Sequence, residues 1–205
     1  FHMSIYKEML GEQFERLQPK LKRRYTISSE KAFQATGVMT KITSGPKWLS
    51  PFFRIATRWK FLFPEQGENV PFQIVNKGKL GPNGEQQVHW ERTFFFPNQT
   101  RHFNALMSLE KSKRAVRDYL GEPSLFYSEL VFIVTEEGHL QIESSKQRLV
   151  LGKLEIPLPR LLKGNVLVKE CYVEKKDVFS IHVLITNPLL GTLFEYKGVF
   201  QTDDL

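Results

Sequence analysis

Between Asn69 and Phe103 two runs of alternating apolar and polar residues are joined by Gly81-Pro82-Asn83-Gly84, and this commits the middle of the chain to an antiparallel hairpin. A period of two places Phe72 and Ile74 on one face of the first run. In the second run, Glu85 to Phe103, it places Val88, Trp90, Arg92, Phe94 and Phe96 on one face. Arg92 therefore stands in an otherwise apolar row. A guanidinium in that position needs an anion or water beside it, because burying an unpaired charge costs several kcal/mol.

The rest of the chain is read around that hairpin. Ile5, Met9, Leu10, Phe14, Leu17 and Leu21 follow helical spacing, and Gly11 and Pro19 divide them into two short helices with a break near Gln18, a lid for a sheet. Ala32 to Ile42 reads as a strand. Trp48, Leu49, Phe52, Ile55, Ala56, Trp59, Leu62 and Phe63 recur at helical intervals, which predicts a helix across 47–63. Further strands are predicted at Arg101–Glu110, Tyr127–Thr135 with Leu125 before it, Leu140–Ser144, Arg148–Ile156, Val166–Glu174, Val178–Thr186 and Leu193–Phe200. Lys111 to Gly121 is polar and reads as a loop or short helical turn, and Arg160 to Lys163 as a helical turn. The fold class is α+β: a large curved antiparallel sheet with a few helices packed on it. A sheet of about eight or nine strands curls, giving a half-barrel of the lipid-transfer type or, second, a closed barrel. Nothing divides the chain, so residues 4–205 are read as a single domain, and Phe1-His2-Met3 as a tag remnant.

The 29 Lys and Arg exceed the 22 Asp and Glu, for a net charge of +7, which admits anionic partners. The basic stretches Lys20–Arg24 and Lys111–Arg117 match no nucleic-acid-binding motif and read as solvated faces, so nucleic acid is not expected. The helix at 47–63 carries Lys47, Arg54, Arg58 and Lys60 with two tryptophans. It suits either an aromatic face packed on the sheet or an anionic membrane surface. No apolar run reaches the roughly 20 residues that span a bilayer, no signal segment opens the chain, and Cys171 is the single cysteine; a cytoplasmic protein is expected.

Signals for chemistry are sparse. His89, His102, His139 and His182 lack metal-ligand spacing, Cys171 reads as a buried inert thiol, and neither a glycine-rich phosphate loop nor a nucleophile elbow is present. No metal, cofactor or catalytic residue is predicted. Glu170, in a row with Val166, Val168 and Tyr172, is the leading partner for Arg92, and Glu129 is another candidate. Two readings stay open. In one, an Arg92–Glu170 ion pair sets the register or curvature of the sheet. In the other, Arg92 holds the anionic head of a lipid-like or amphiphilic small molecule in an apolar pocket built from Trp90, Phe94, Glu170, Tyr196 and Trp59, with Trp48, Phe52 and Phe96 as further walls. A peripheral membrane or protein-interaction module using the 47–63 helix is the alternative to that binding domain. An enzyme acting on a hydrophobic substrate comes third.

Leu10-Gly11 with Phe14 and Leu17, then Trp90, Arg92 and Phe94, then Pro157-Leu158-Pro159 with Glu170, then Asn187-Pro188-Leu189-Leu190-Gly191 and Tyr196-Lys197-Gly198 form an ordered series from about Tyr6 to Phe200. In order and spacing this series resembles a bacterial family known as a domain of unknown function, DUF4166. The chain departs from the commoner family form at Lys197, where Arg is more usual, and at Val199, where an aromatic is. The resemblance implies a domain found alone or fused behind a saccharopine-dehydrogenase-like domain, and it implies no activity or catalytic residue.

Overall fold

A computed structural model describes residues 4–124 and 126–203; the expected tag remnant at residues 1–3 and Leu125 lie outside them. Among the described residues the chain forms helices α1 (Ile5–Leu10), α2 (Pro19–Tyr25) and α3 (Ser50–Ala56). The strands are β1 (Phe33–Ser44), β2 (Gly67–Leu80), β3 (Gln86–Phe96), β4 (Gln99–His102), β5 (Ala105–Glu110), β6 (Ala115–Leu120), β7 (Phe126–Val134), β8 (Leu140–Leu151), β9 (Leu154–Pro157), β10 (Asn165–Val173), β11 (Val178–Asn187) and β12 (Gly191–Gln201). Each pairs antiparallel with its neighbours. β10 also pairs with β8, through Val168 opposite Ile142 and Glu170 opposite Leu140. That pairing closes ten strands into a barrel, leaving β4 folded back on β3 and β9 on β8. Of the two forms expected, the closed barrel is the one adopted.

Three local readings are corrected. The stretch taken for a loop at Lys111–Gly121 contains β6, whose inward row is Val116, Asp118 and Leu120; a carboxylate in that row masks the alternation. The strands expected at Leu140–Ser144 and Arg148–Ile156 are one long strand, β8, and a hairpin turning at Gly152 into β9. The helix expected across 47–63 is α3 between two 3₁₀ turns, Lys47–Leu49 and Thr57–Trp59. It stops at Lys60, whose left-handed backbone (φ 50°) turns Phe61 to Phe63 down into the barrel.

Strand direction sorts the connections to two ends. One end gathers α1, α2 and the β2–β3, β5–β6, β7–β8 and β10–β11 turns; the other gathers the α3 segment and the β3–β5, β6–β7, β8–β10 and β11–β12 connections. At the α2 end, Tyr6, Leu10, Phe14, Leu21 and Tyr25 fill the lumen. Pro19 at the first turn of α2 has no N–H to lose there. The preceding Gln18 clips the segment to the barrel: its Nε2 donates to the Tyr172 carbonyl (3.0 Å) and its Oε1 accepts from the Tyr172 N–H (2.7 Å). At the α3 end Phe63 closes the mouth against Phe194 (ring centroids 4.8 Å apart) and Phe94 (5.2 Å), while Ser44 Oγ donates to the Phe63 carbonyl (2.8 Å). The β1–β12 seam is unusually close. A Cβ on Gly198 would lie 2.2 Å from the Val38 carbonyl oxygen, so only glycine fits there.

Candidate functional site

The barrel interior holds two guanidinium groups. Arg24 reaches it because Leu17, Leu21 and Arg24 recur at four- and three-residue intervals, so the helix face that buries the leucines also buries the arginine. Its Nε donates to Glu170 Oε1 and its Nη2 to Glu170 Oε2 (3.4 Å), while Nη1 donates to Asn76 Oδ1 (2.8 Å). Tyr25 adds a hydroxyl donor to Glu170 Oε2 (2.9 Å). Burial, with the Glu170 charge acting in the same sense, holds the Tyr25 phenol protonated, well above its ordinary range. The expected Arg92–Glu170 pair is thus replaced by an Arg24–Glu170 pair. The signal for Arg24 lay in its helical phase, hidden inside a basic stretch read as solvated. Glu129, the other candidate, lies beside Lys146 (3.8 Å) instead.

Arg92 is held by neutral groups. Nε donates to the Phe103 carbonyl (2.9 Å) and Nη1 to the Tyr196 hydroxyl (3.2 Å), and the guanidinium lies 4.0 Å from the Phe103 ring centroid. Among the described residues it forms no ion pair. Trp90 separates the two cations, 5.2 Å from Arg24 and 5.5 Å from Arg92, and its Nε1 donates to the Tyr6 hydroxyl (2.8 Å). Burial raises the Tyr196 phenol while the Arg92 charge pulls it back. Arg92 also acts across the interior on the carboxylate of Asp118. Burial pushes Asp118 up to about 6, against the pull of Arg92. Among the described residues Asp118 Oδ1 and Ser128 Oγ, on facing positions of β6 and β7, have no hydrogen-bond partner.

The structure therefore brings together Arg92, Trp90, Phe94 and Tyr196, places Glu170 with Arg24, and leaves Trp59 outside. Phe94 packs on Phe72, Phe63 and Tyr196 at 5.1–5.2 Å, so the space around Arg92 is occupied by the chain's own aromatic rings. The most voluminous of the principal grooves, about 440 Å³, lies on the outside of the barrel and is lined by Glu85, Glu110, Lys111, Arg117 and Tyr119. Cys171 is half-buried, and burial raises its thiol above the ordinary range, which makes it a poor nucleophile.

Trp48, Phe52 and Trp59, expected as pocket walls, face outward on the α3 segment. Leu49 and Phe53 point into the protein, but Trp48, Phe52, Ile55 and Trp59, at intervals of four, three and four residues, are 58, 63, 49 and 38% exposed. This stripe is rigidly mounted. The Trp59 carbonyl accepts from the Glu122 N–H (2.6 Å), the Lys60 carbonyl accepts from the Asn104 N–H (2.8 Å), and Lys60 Nζ pairs with Glu122 (2.7 Å). No Asp or Glu occurs between Gly45 and Pro64, whereas Lys47, Arg54, Arg58 and Lys60 do. Among the described residues no helix is long and apolar enough to cross a membrane.

A family model described as "Domain of unknown function (DUF4166)" matches residues 17–200. "Uncharacterized protein YndH" of Bacillus subtilis (strain 168) is 36% identical over 201 residues, covering 98% of each chain. No solved structure matches.

Two stability measurements follow from the interior charges. Glu170→Gln strands the Arg24 charge and is expected to lower unfolding free energy by about 3–5 kcal/mol, whereas the double change Arg24→Met with Glu170→Leu recovers most of that loss; urea denaturation compares them. For Asp118 the folded pKa of about 6 lies above the ordinary value of 3.8, so the native state holds the extra proton and stability falls as pH rises through that window. Asp118→Asn is therefore expected to match the parent near pH 4 and to exceed it near pH 7.5 by on the order of 2–3 kcal/mol. An equal effect at both pH values would assign the change to packing.

Proposed function

The chain belongs to the DUF4166 family, and we propose that it is a peripheral membrane-binding barrel that docks on anionic lipid through its α3 end. The observation that carries this reading is the outward stripe Trp48, Phe52, Ile55 and Trp59 on a segment free of acidic residues. Leaving four large apolar side chains 38–63% exposed forgoes part of the about 1.5–3 kcal/mol that full burial of each would contribute. Tryptophan and phenylalanine suit the headgroup boundary, where an apolar ring meets water, and adjacent Arg54 and Arg58 meet the negative surface potential at about 1 kcal/mol per charge. The nearest acids are already engaged: Glu65 by Arg101 (2.7 Å) and Glu122 by Lys60 and His89 (2.9 Å).

Co-sedimentation with vesicles of phosphatidylcholine and phosphatidylglycerol tests it. The parent is expected to pellet at low salt and to be released by raised salt, and Trp48→Ala with Trp59→Ala is expected to weaken partitioning at least about tenfold, because two interfacial anchors are lost. Salt-independent behaviour, or no effect of the tryptophan changes, rejects docking by α3.

Arg92 favours a second reading, since a buried cation with only neutral partners suits the head of an acidic amphiphile admitted by repacking of the surrounding rings. Native mass spectrometry of the freshly purified protein is expected to show a bound anion that Arg92→Met abolishes without unfolding the barrel. Severe destabilisation by Arg92→Met with no bound species would make Arg92 architectural.

A further inference from the structure

One buried side chain joins two loops at the α3 end. Asn187, 3% exposed, donates from Nδ2 to the carbonyls of Arg160 (2.9 Å), Leu161 (3.1 Å) and Lys163 (2.7 Å). Its Oδ1 accepts from the N–H groups of Leu189 (2.8 Å) and Leu190 (3.0 Å). The amide thereby spends both its donor and its acceptor capacity on backbone. It fastens the 3₁₀ turn Arg160–Leu162 to the β11–β12 turn, which lie more than twenty residues apart in the chain. In these two loops Leu158 is buried and Leu190 is partly buried against the core. The outer side of the junction carries three leucines from the two loops, Leu161, Leu162 and Leu189, exposed by 58, 62 and 62%.

The Asn187 clamp ties two loops together through backbone groups alone. Here it fixes apolar side chains in water, and the surroundings match those of α3. Residues 146–164 contain five Lys or Arg and one acid, Glu155, which is engaged by Tyr127 (2.8 Å) and lies near Arg117 (3.8 Å). Strand direction places this knuckle at the same end of the barrel as α3. We propose that the leucine knuckle Leu161-Leu162-Leu189 is a second lipid-insertion site, held in shape by Asn187 and flanked by Arg160 and Lys163 for anionic headgroups. The proposal rests on the docking reading above. Two modest contacts on one rigid body reinforce each other, because the second engages at the effective concentration set by the first.

The test uses the full chain and vesicles of phosphatidylcholine with phosphatidylglycerol, alongside phosphatidylcholine alone. Leu161→Asn with Leu162→Asn, at exposed positions, is expected to leave the urea midpoint unchanged and to reduce partitioning to the anionic vesicles about tenfold. Asn187→Ala is expected to reduce partitioning in the same direction by loosening the knuckle. Undiminished binding of the leucine variant, with binding lost in the Trp48→Ala/Trp59→Ala variant, overturns the knuckle while leaving docking by α3 in place. Absence of parent binding at low salt overturns both. Self-association without vesicles, abolished by the leucine substitutions, also overturns the proposal and assigns the surface to contact between copies of the chain.

Discussion

Arg24 is removed wholly from water, and its pairing with Glu170 organises the barrel. Glu170 stands opposite Leu140 in the short pairing between β8 and β10 that closes the ring. The same carboxylate therefore anchors α2, satisfies Tyr25 and sits at the seam. Arg24 in turn lies over Phe33 and beside Trp90, so the aromatic packing of the lumen and the ion pair support each other. Buried pairs of this kind are often no stronger than apolar replacements, but breaking one partner is costly, and here that would also unseat a helix.

The two ends of the barrel solve different problems. At the α2 end the chain fills its own lumen with two short helices and pins them by Gln18. At the α3 end Phe63 performs the closure, and α3 then crosses over it as an outer layer. A single helix on a surface buries one stripe, and α3 buries Leu49 and Phe53. The other stripe, Trp48, Phe52, Ile55 and Trp59, is equally apolar and 38–63% exposed. The leucine knuckle repeats this arrangement on neighbouring loops at the same end. Exposed apolar patches beside cations are the observation on which the proposal of docking on anionic lipid rests.

Arg92 is the second buried guanidinium, and its surroundings differ from those of Arg24. Its donors are spent partly on a carbonyl and a phenol and its faces on aromatic rings, while Asp118, on which it acts electrostatically, has an Oδ1 without a hydrogen-bond partner among the described residues. The interior so holds one guanidinium hydrogen-bonded to a carboxylate and, among the described residues, one that is not. Trp90 keeps them apart.

Alternation and turn chemistry in the sequence alone determined most of the strands, the antiparallel hairpins and the anomaly of Arg92, because these depend on residues within about ten positions of one another. The alternation at 115–120 was lost to Asp118, an inward carboxylate that reads as outward. What the tertiary structure decided is what lies across the barrel. Arg24 and Glu170 are separated by 146 positions, and local period says which face a charge occupies but not which charge faces it. Likewise helical spacing predicted one amphipathic helix with an aromatic face across 47–63, yet the docked segment buries Leu49 and Phe53 and leaves Trp48, Phe52, Ile55 and Trp59 largely exposed. Ring closure belongs with these, since it rests on a few backbone hydrogen bonds between β8 and β10 that any extended residues can make.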